Sequence, residues 1–247
     1  MKGILILAAL LAGDSPAESQ PTVTMVEHGD RVDVLLDGEL FAAYVFRGYP
    51  RPMVYPIIGP HRIGMTRNFP MKTDVPGEPH GHPHHKSMYF GYGSVNGVNF
   101  FADHAEAGRI VHEKFLETSS DAGRGIVKSL NQWVTADGQV VCSDIRTITF
   151  HTVGGVRAID WEITIHASEG EVAFKDDKHG SMAIRMHPNL QLESSPTANG
   201  QAVNSEGISG KAVFGQRAKW IDYWGTIDGK TVGIAIFDHP SNPRHPT

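Results

Sequence analysis

The sequence predicts an all-β protein, built as one large antiparallel β-sandwich. Three observations carry that expectation. Short β-branched or apolar runs recur at roughly 8–12-residue intervals, the spacing of sandwich and barrel strands. Between them stand tight-turn dipeptides such as Asp37-Gly38, Asn96-Gly97, Asp137-Gly138 and Asp228-Gly229, in which glycine supplies the positive φ that a hairpin needs. After the first residues, no stretch shows the 3.6-residue apolar period of an amphipathic helix.

Taken in order, the chain begins with Met1-Lys2-Gly3 and an apolar run, Ile4 to Ala12, followed by Ser15-Pro16-Ala17. The run is shorter than the ~20 residues that span a bilayer. It predicts a signal peptide over 1–17, with a single domain over 18–247 that is periplasmic or secreted. Asp14 follows Leu11-Ala12-Gly13 where a lipoprotein needs cysteine, so no lipid anchor is expected. No later segment predicts a membrane span. Strands are expected at 22–26, 31–36 and 40–46. Residues 48–83 carry eight prolines and little periodicity, which predicts a long ordered loop, a class that usually carries function inside a domain. Strands are then expected at 87–93, 98–101, 108–116, 126–134, 140–151, 156–167, 181–186, 211–214, 218–223 and 231–237. In 145–150 and 158–165 apolar and polar residues alternate at period two, so one face is buried and the other wet. The chain ends on an ordered-loop segment directly after an apolar strand, and the expectation is that the domain's C-terminal end is missing.

Composition narrows the partners. The 247 residues carry a net charge of -5 and a pI near 6.3, which argues against nucleic acid, since phosphate binding needs a basic surface. The single cysteine, Cys142, forms no intrachain disulfide and reads as a small buried hydrophobe. Trp133, Trp161 and Trp220 read as core. Trp224 is also placed to line a sugar site.

The chemistry concentrates in two proline-pinned clusters. Gly77 to Lys86 places His80, His82, His84 and His85 within six positions. In extended backbone, His82 and His84 share one side and His85 takes the other. Two histidines on one face plus a distant third, His239 or else His245, give a workable zinc or copper set, His82, His84 and His239 in the first instance. The same imidazoles titrate near neutrality and suit metal-free acid–base work, with His84 or His85 as base or acid and His187 or His239 as partner. Arg67, set in a proline-pinned apolar loop, is either a substrate fork or a tie for loop carbonyls. Lys86, Arg185, Asn242, Arg244 and His245 complete the candidate substrate contacts. The second cluster, Asp238 to His245, is expected to meet the first in one site. No phosphate loop or nucleophile elbow is present.

These segments resemble the PmoA-like family of exported bacterial proteins. The resemblance rests on His82-Pro83-His84-His85-Lys86-Ser87-Met88-Tyr89-Phe90-Gly91, on Val95-Asn96-Gly97-Val98-Asn99-Phe100, on Asn204-Ser205-Glu206-Gly207, on Trp220-Ile221-Asp222-Tyr223-Trp224-Gly225, and on the run from Gly233 to Thr247. The family pattern has an acidic residue just before the His-Pro-His-His run. Here that position is Gly81, and Glu78 is the nearest substitute. Members also continue past the final Pro-Thr with a Trp-His-containing segment. The methane-oxidation label does not suit a chain without a predicted span. The resemblance instead implies likeness to sandwiches of the sugar-mutarotase type, whose His/carboxylate chemistry acts on carbohydrates. Three functions follow as expectations: a carbohydrate-active acid–base enzyme (epimerase, lyase or hydrolase), a zinc or copper enzyme, and a non-catalytic glycan-binding module.

Overall fold

The computed structural model describes residues 2–3, 21–153 and 155–246. The expected signal peptide therefore lies, apart from Lys2 and Gly3, outside the described residues. No helix among the described residues is long and apolar enough to cross a membrane.

The fold is nearly all β. Fourteen strands are described: β1 (Lys2–Gly3), β2 (Val23–Glu27), β3 (Arg31–Leu36), β4 (Glu39–Val45), β5 (Met53–Ile57), β6 (Met88–Tyr92), β7 (Arg109–Asp121), β8 (Arg124–Val134), β9 (Val140–Val153), β10 (Val156–His166), β11 (Gly180–Ile184), β12 (Gln201–Asn204), β13 (Trp220–Ile227) and β14 (Lys230–Phe237). They form three antiparallel sheets, ordered β1-β10-β9-β8-β7, β11-β6-β5-β4-β3-β2 and β12-β13-β14. Where the sequence pointed to tight turns, the structure forms them: Gly38, Gly97, Gly138 and Gly229 all sit at positive φ.

The five- and six-stranded sheets face each other across one core. Val32, Val34, Phe41, Tyr44, Val54 and Phe90 of one sheet meet Ile110, Val127, Trp133, Cys142, Ile148, Phe150 and Trp161 of the other. Burial pushes the Cys142 thiol up to about 12, which leaves it an inert apolar group. The inward face of β9 carries Asp144 and Arg146 as well as Ile148 and Phe150, all fully buried. Those charges are tolerated because they meet each other: Arg146 Nε donates to Asp144 Oδ1 at 2.8 Å and Nη2 to Oδ2 at 2.9 Å. Asn131 Nδ2 and Trp133 Nε1 donate to the same carboxylate at 2.8 and 2.6 Å.

The structure revises three expected elements. Residues 48–83 are not loop throughout, since β5 runs through them and pairs with β4 and β6. Residues 211–214 form a 3-10 turn, Gly210–Val213, rather than a strand. Residues 98–101 make only an isolated bridge, Val95 to Val98. β12 was not foreseen, because four residues carry too little pattern.

At the edge strand β7, His112 lies between the rings of Phe46 (4.6 Å) and Phe115 (4.4 Å). Burial, aided by Arg47 and Arg146, pushes its pKa from 6.5 down to about 4. The unfolded chain then binds more protons than the folded one between those values, so stability falls as pH drops from 6.5 towards 4. We expect His112→Phe to flatten that part of the stability–pH curve, read by urea unfolding at several pH values. The slope it removes is at most about 1.4 kcal/mol per pH unit, reduced because the ring is only half-buried.

Candidate functional site

The outer face of the six-stranded sheet is apolar as well. Val45, Met53, Tyr55 and Tyr89 point away from the sandwich core and pack with Phe101, Tyr49, Met71 and Ala183. Chain from the β5–β6 connection folds over this face and brings the histidine run with it.

His82 to His85 is a turn, not extended backbone. The His85 N–H donates to the His82 carbonyl at 3.0 Å, with Pro83 in the second position and His82 at φ 54°. Strand alternation therefore does not apply, and the expected split of His85 from His82 and His84 does not occur. All three imidazoles gather. Ring centroids lie 4.3 Å apart for His84–His85, 5.2 Å for His82–His85 and 5.7 Å for His82–His84. One ring nitrogen from each lies within 4.8 Å of the others. His80 is turned away and stacks on Phe69 at 4.4 Å.

Arg67 holds the turn from behind. Fully buried, its guanidinium donates to the carbonyls of Phe69 (3.1 Å), Gly81 (2.7 Å), Pro79 (3.4 Å), His82 (2.9 Å) and His85 (3.1 Å). Of the two roles offered by the sequence, the geometry is that of the carbonyl tie. Glu78 anchors the other end, accepting from the backbone N–H groups of Asn68 (2.9 Å) and Phe69 (2.6 Å). Lys86 is likewise occupied. It is buried, donates to the Pro83 carbonyl at 3.0 Å, and pairs with Asp103, whose second oxygen accepts from Arg51 at 2.7 Å.

A fourth histidine faces the cluster. His179, just before β11, packs on the Phe101 ring at 5.2 Å, and His84 and His85 lie 6.2 and 5.8 Å from the same ring. Asp177 Oδ1 accepts from the His179 backbone N–H at 2.7 Å and stands 3.1 Å from Nδ1. That arrangement fixes the ring by its Nδ1 and leaves Nε2 for other work. Gly93 makes room for it, since a β-carbon there would sit 2.2 Å from Asp177 Oδ1.

Burial is the largest influence on His84 and His85, followed by like charge. It lowers His84, with His82 and Arg51 adding to the effect. Together with His84 and the Arg185 guanidinium, it pushes His85 down to about 4. Both rings are neutral at neutral pH. Arg185 follows β11, and its backbone N–H donates to the Ser87 carbonyl at 2.6 Å, beside the turn. His187 lies one step further along, accepts from the Asn189 N–H through Nδ1 at 3.2 Å, and is lowered by burial.

The C-terminal cluster is held together by its own hydrogen bonds. His239 Nδ1 lies 2.7 Å from Ser241 Oγ, and Asp238 accepts from Asn242 Nδ2 (2.7 Å) and pairs with His245 Nδ1 (2.9 Å). The Arg244 carbonyl accepts from Arg217, and its side chain is exposed. His239 and His245 line a separate cavity of about 380 Å³ with Trp220, Phe237 and Lys219. At the turn end of the β13–β14 hairpin, Asp228 acts on His187. Among the described residues, the three-histidine group gathered for a metal has His85 in the place expected for His239.

The sequence from 31 to 247 matches DUF6807, a family of unknown function. The chain belongs to this family. No curated protein and no solved structure matches it. The DUF6807 span contains both faces of the sandwich from β3 onward, the histidine turn and the C-terminal cluster. Within it, sequence reasoning missed Arg51, Asp103, Asp177 and His179. The first two sit in separate loops whose contact only folding creates. Asp177-Lys178-His179 carried a local signal, an Asp two residues before a His next to Gly180, but that pattern is too common to single out.

Proposed function

We propose that this DUF6807 protein is an exported, metal-dependent enzyme acting on a carbohydrate. In this reading His82, His84 and His85 hold one zinc or copper ion, and His179, fixed by Asp177, transfers protons. One observation carries it: three ring nitrogens already gathered within 4.8 Å. Tetrahedral zinc ligation needs them roughly 3.4 Å apart, so a small side-chain closure suffices. Only neutral imidazole ligates a metal, and burial keeps His84 and His85 in that form. When bound, the ion supplies Lewis acidity or an activated water. Three protein ligands leave a position for substrate or water. The Phe101 ring floors the space between the turn and His179. Export is supported by the apolar N-terminal run, and a sugar substrate by the resemblance to mutarotase-type sandwiches.

The test is elemental analysis of untagged protein after exposure to zinc or copper and removal of excess. We expect about one ion per chain, falling by at least tenfold in His84→Ala and His85→Ala with little loss of melting temperature. Absence of stoichiometric metal overturns the metal centre. The neutrality of His85 favours a second reading, metal-free acid–base chemistry with His84 or His85 as base. Turnover that persists in chelator selects that reading.

A further inference from the structure

The site has more positive charge than it uses. Arg51, Arg67, Lys86 and Arg185 surround the histidine turn. Asp103 answers both Arg51 and Lys86, and Arg67 is spent on carbonyls. Glu78 is bound to backbone N–H groups, and Asp177 to His179. Arg185 is left over. Among the described residues its guanidinium has no hydrogen bond or ion pair, and its buried Nε has no acceptor. Elsewhere around the turn, the buried Nε and Nη1 of Arg51, which lies over the Tyr89 ring, and the buried Tyr89 hydroxyl are also without partners among the described residues. Buried donors are almost always satisfied in folded proteins, so the unpartnered Nε of Arg185 beside the turn is a place for an acceptor from outside the chain. A planar guanidinium with free N–H groups matches a carboxylate in bidentate fashion. Arg185 is only partly buried, so a ligand reaches it, whereas Arg51 is buried and paired with Asp103. The three imidazoles bring no negative charge to a metal, and a bound dication therefore deepens the excess.

We propose that the substrate is an anionic sugar bearing a carboxylate, held by Arg185 beside the turn formed by His82, His84 and His85. This inference deepens the proposed function and rests on its reading of the histidine turn as the substrate site. The carboxylate supplies the acceptor that Arg185 lacks, and it offsets the charge of the surrounding cations.

Calorimetric titration of the purified chain with glucuronate, glucose and inorganic sulfate tests it, in zinc-loaded and in chelator-treated protein. We expect glucuronate to bind at least tenfold more tightly than glucose, with affinity falling as salt rises. Arg185→Gln should remove that preference while leaving melting temperature and metal content unchanged, and Arg185→Lys should restore part of it. Equal affinity for the two sugars, binding of neither, or a preference that survives Arg185→Gln overturns the proposal. Sulfate binding as tight as glucuronate also overturns it, since the site then reads charge rather than a carboxylate. A glucuronate preference in protein that holds no metal upholds this inference while the metal centre fails. A stoichiometric metal without the preference has the opposite meaning.

Discussion

An Asp144→Ala variant is expected to lose about 3–5 kcal/mol of folding stability, the cost of leaving a buried charge without its partner. Arg146 is fully buried and, among the described residues, pairs with no other anion, and Asn131 Nδ2 and Trp133 Nε1 would lose the acceptor they share. The sign reverses when both charges go. Asp144→Leu combined with Arg146→Met should recover the part due to the stranded charge, because a buried ion pair contributes little beyond what well-packed apolar groups give, while Asn131 and Trp133 stay without their acceptor. Urea unfolding with an unchanged slope is the measurement. A single variant that unfolds at the wild-type midpoint would show that the pair does not matter. On present geometry it matters through the penalty for breaking it.

An Arg67→Lys variant is expected to keep the sandwich and lose the site. Five carbonyls converge on one planar guanidinium, and a lysine ammonium has three donors on a single atom. Two of those carbonyls belong to His82 and His85, so loosening them lets the turn relax and separates the rings. Metal affinity should fall ~10–100-fold, the range seen when groups supporting metal ligands are removed. Global stability should fall by a smaller margin, ~1–3 kcal/mol. Competition with a chromophoric chelator reads the first effect, and thermal melting the second. If affinity holds while the melting temperature drops, the loop keeps its shape by other means and the role given to Arg67 fails.

The fold was legible because its signals are local. Asp-Gly and Asn-Gly pairs turn the chain wherever they occur, and period-two alternation marks a strand that is wet on one side. The all-β class and most strands of the two large sheets follow from those signals. β5 did not, because it lies among prolines and is buried on both faces, where alternation vanishes. The buried Asp144–Arg146 pair was not legible either. Charge in a strand reads as a solvated face until a partner two residues away is known to share its side.

The site was half legible. Histidine density near Pro83 marked the turn, since four imidazoles within six positions concentrate chemistry whatever the backbone does. The side each ring takes was misjudged, because alternation was assumed where Pro83 and the positive φ of His82 impose a turn. The third member of the metal set was misjudged too: the nitrogen that joins those of His82 and His84 is that of His85, and His179 comes to the cluster through the pairing of β11 with β6.

The sequence by itself determined the class of fold, the turns, and the stretch in which histidines concentrate, because each depends on neighbours along the chain. Only the tertiary structure decided that Arg67 is a tie rather than a clamp, that His85 completes the trio, and that Arg185, alone among the cations around the turn, lacks an acceptor among the described residues. Those facts depend on which groups meet across the fold. The physical reason is the cost of burying charge: a guanidinium shows its role only through the acceptors that surround it once water has been excluded.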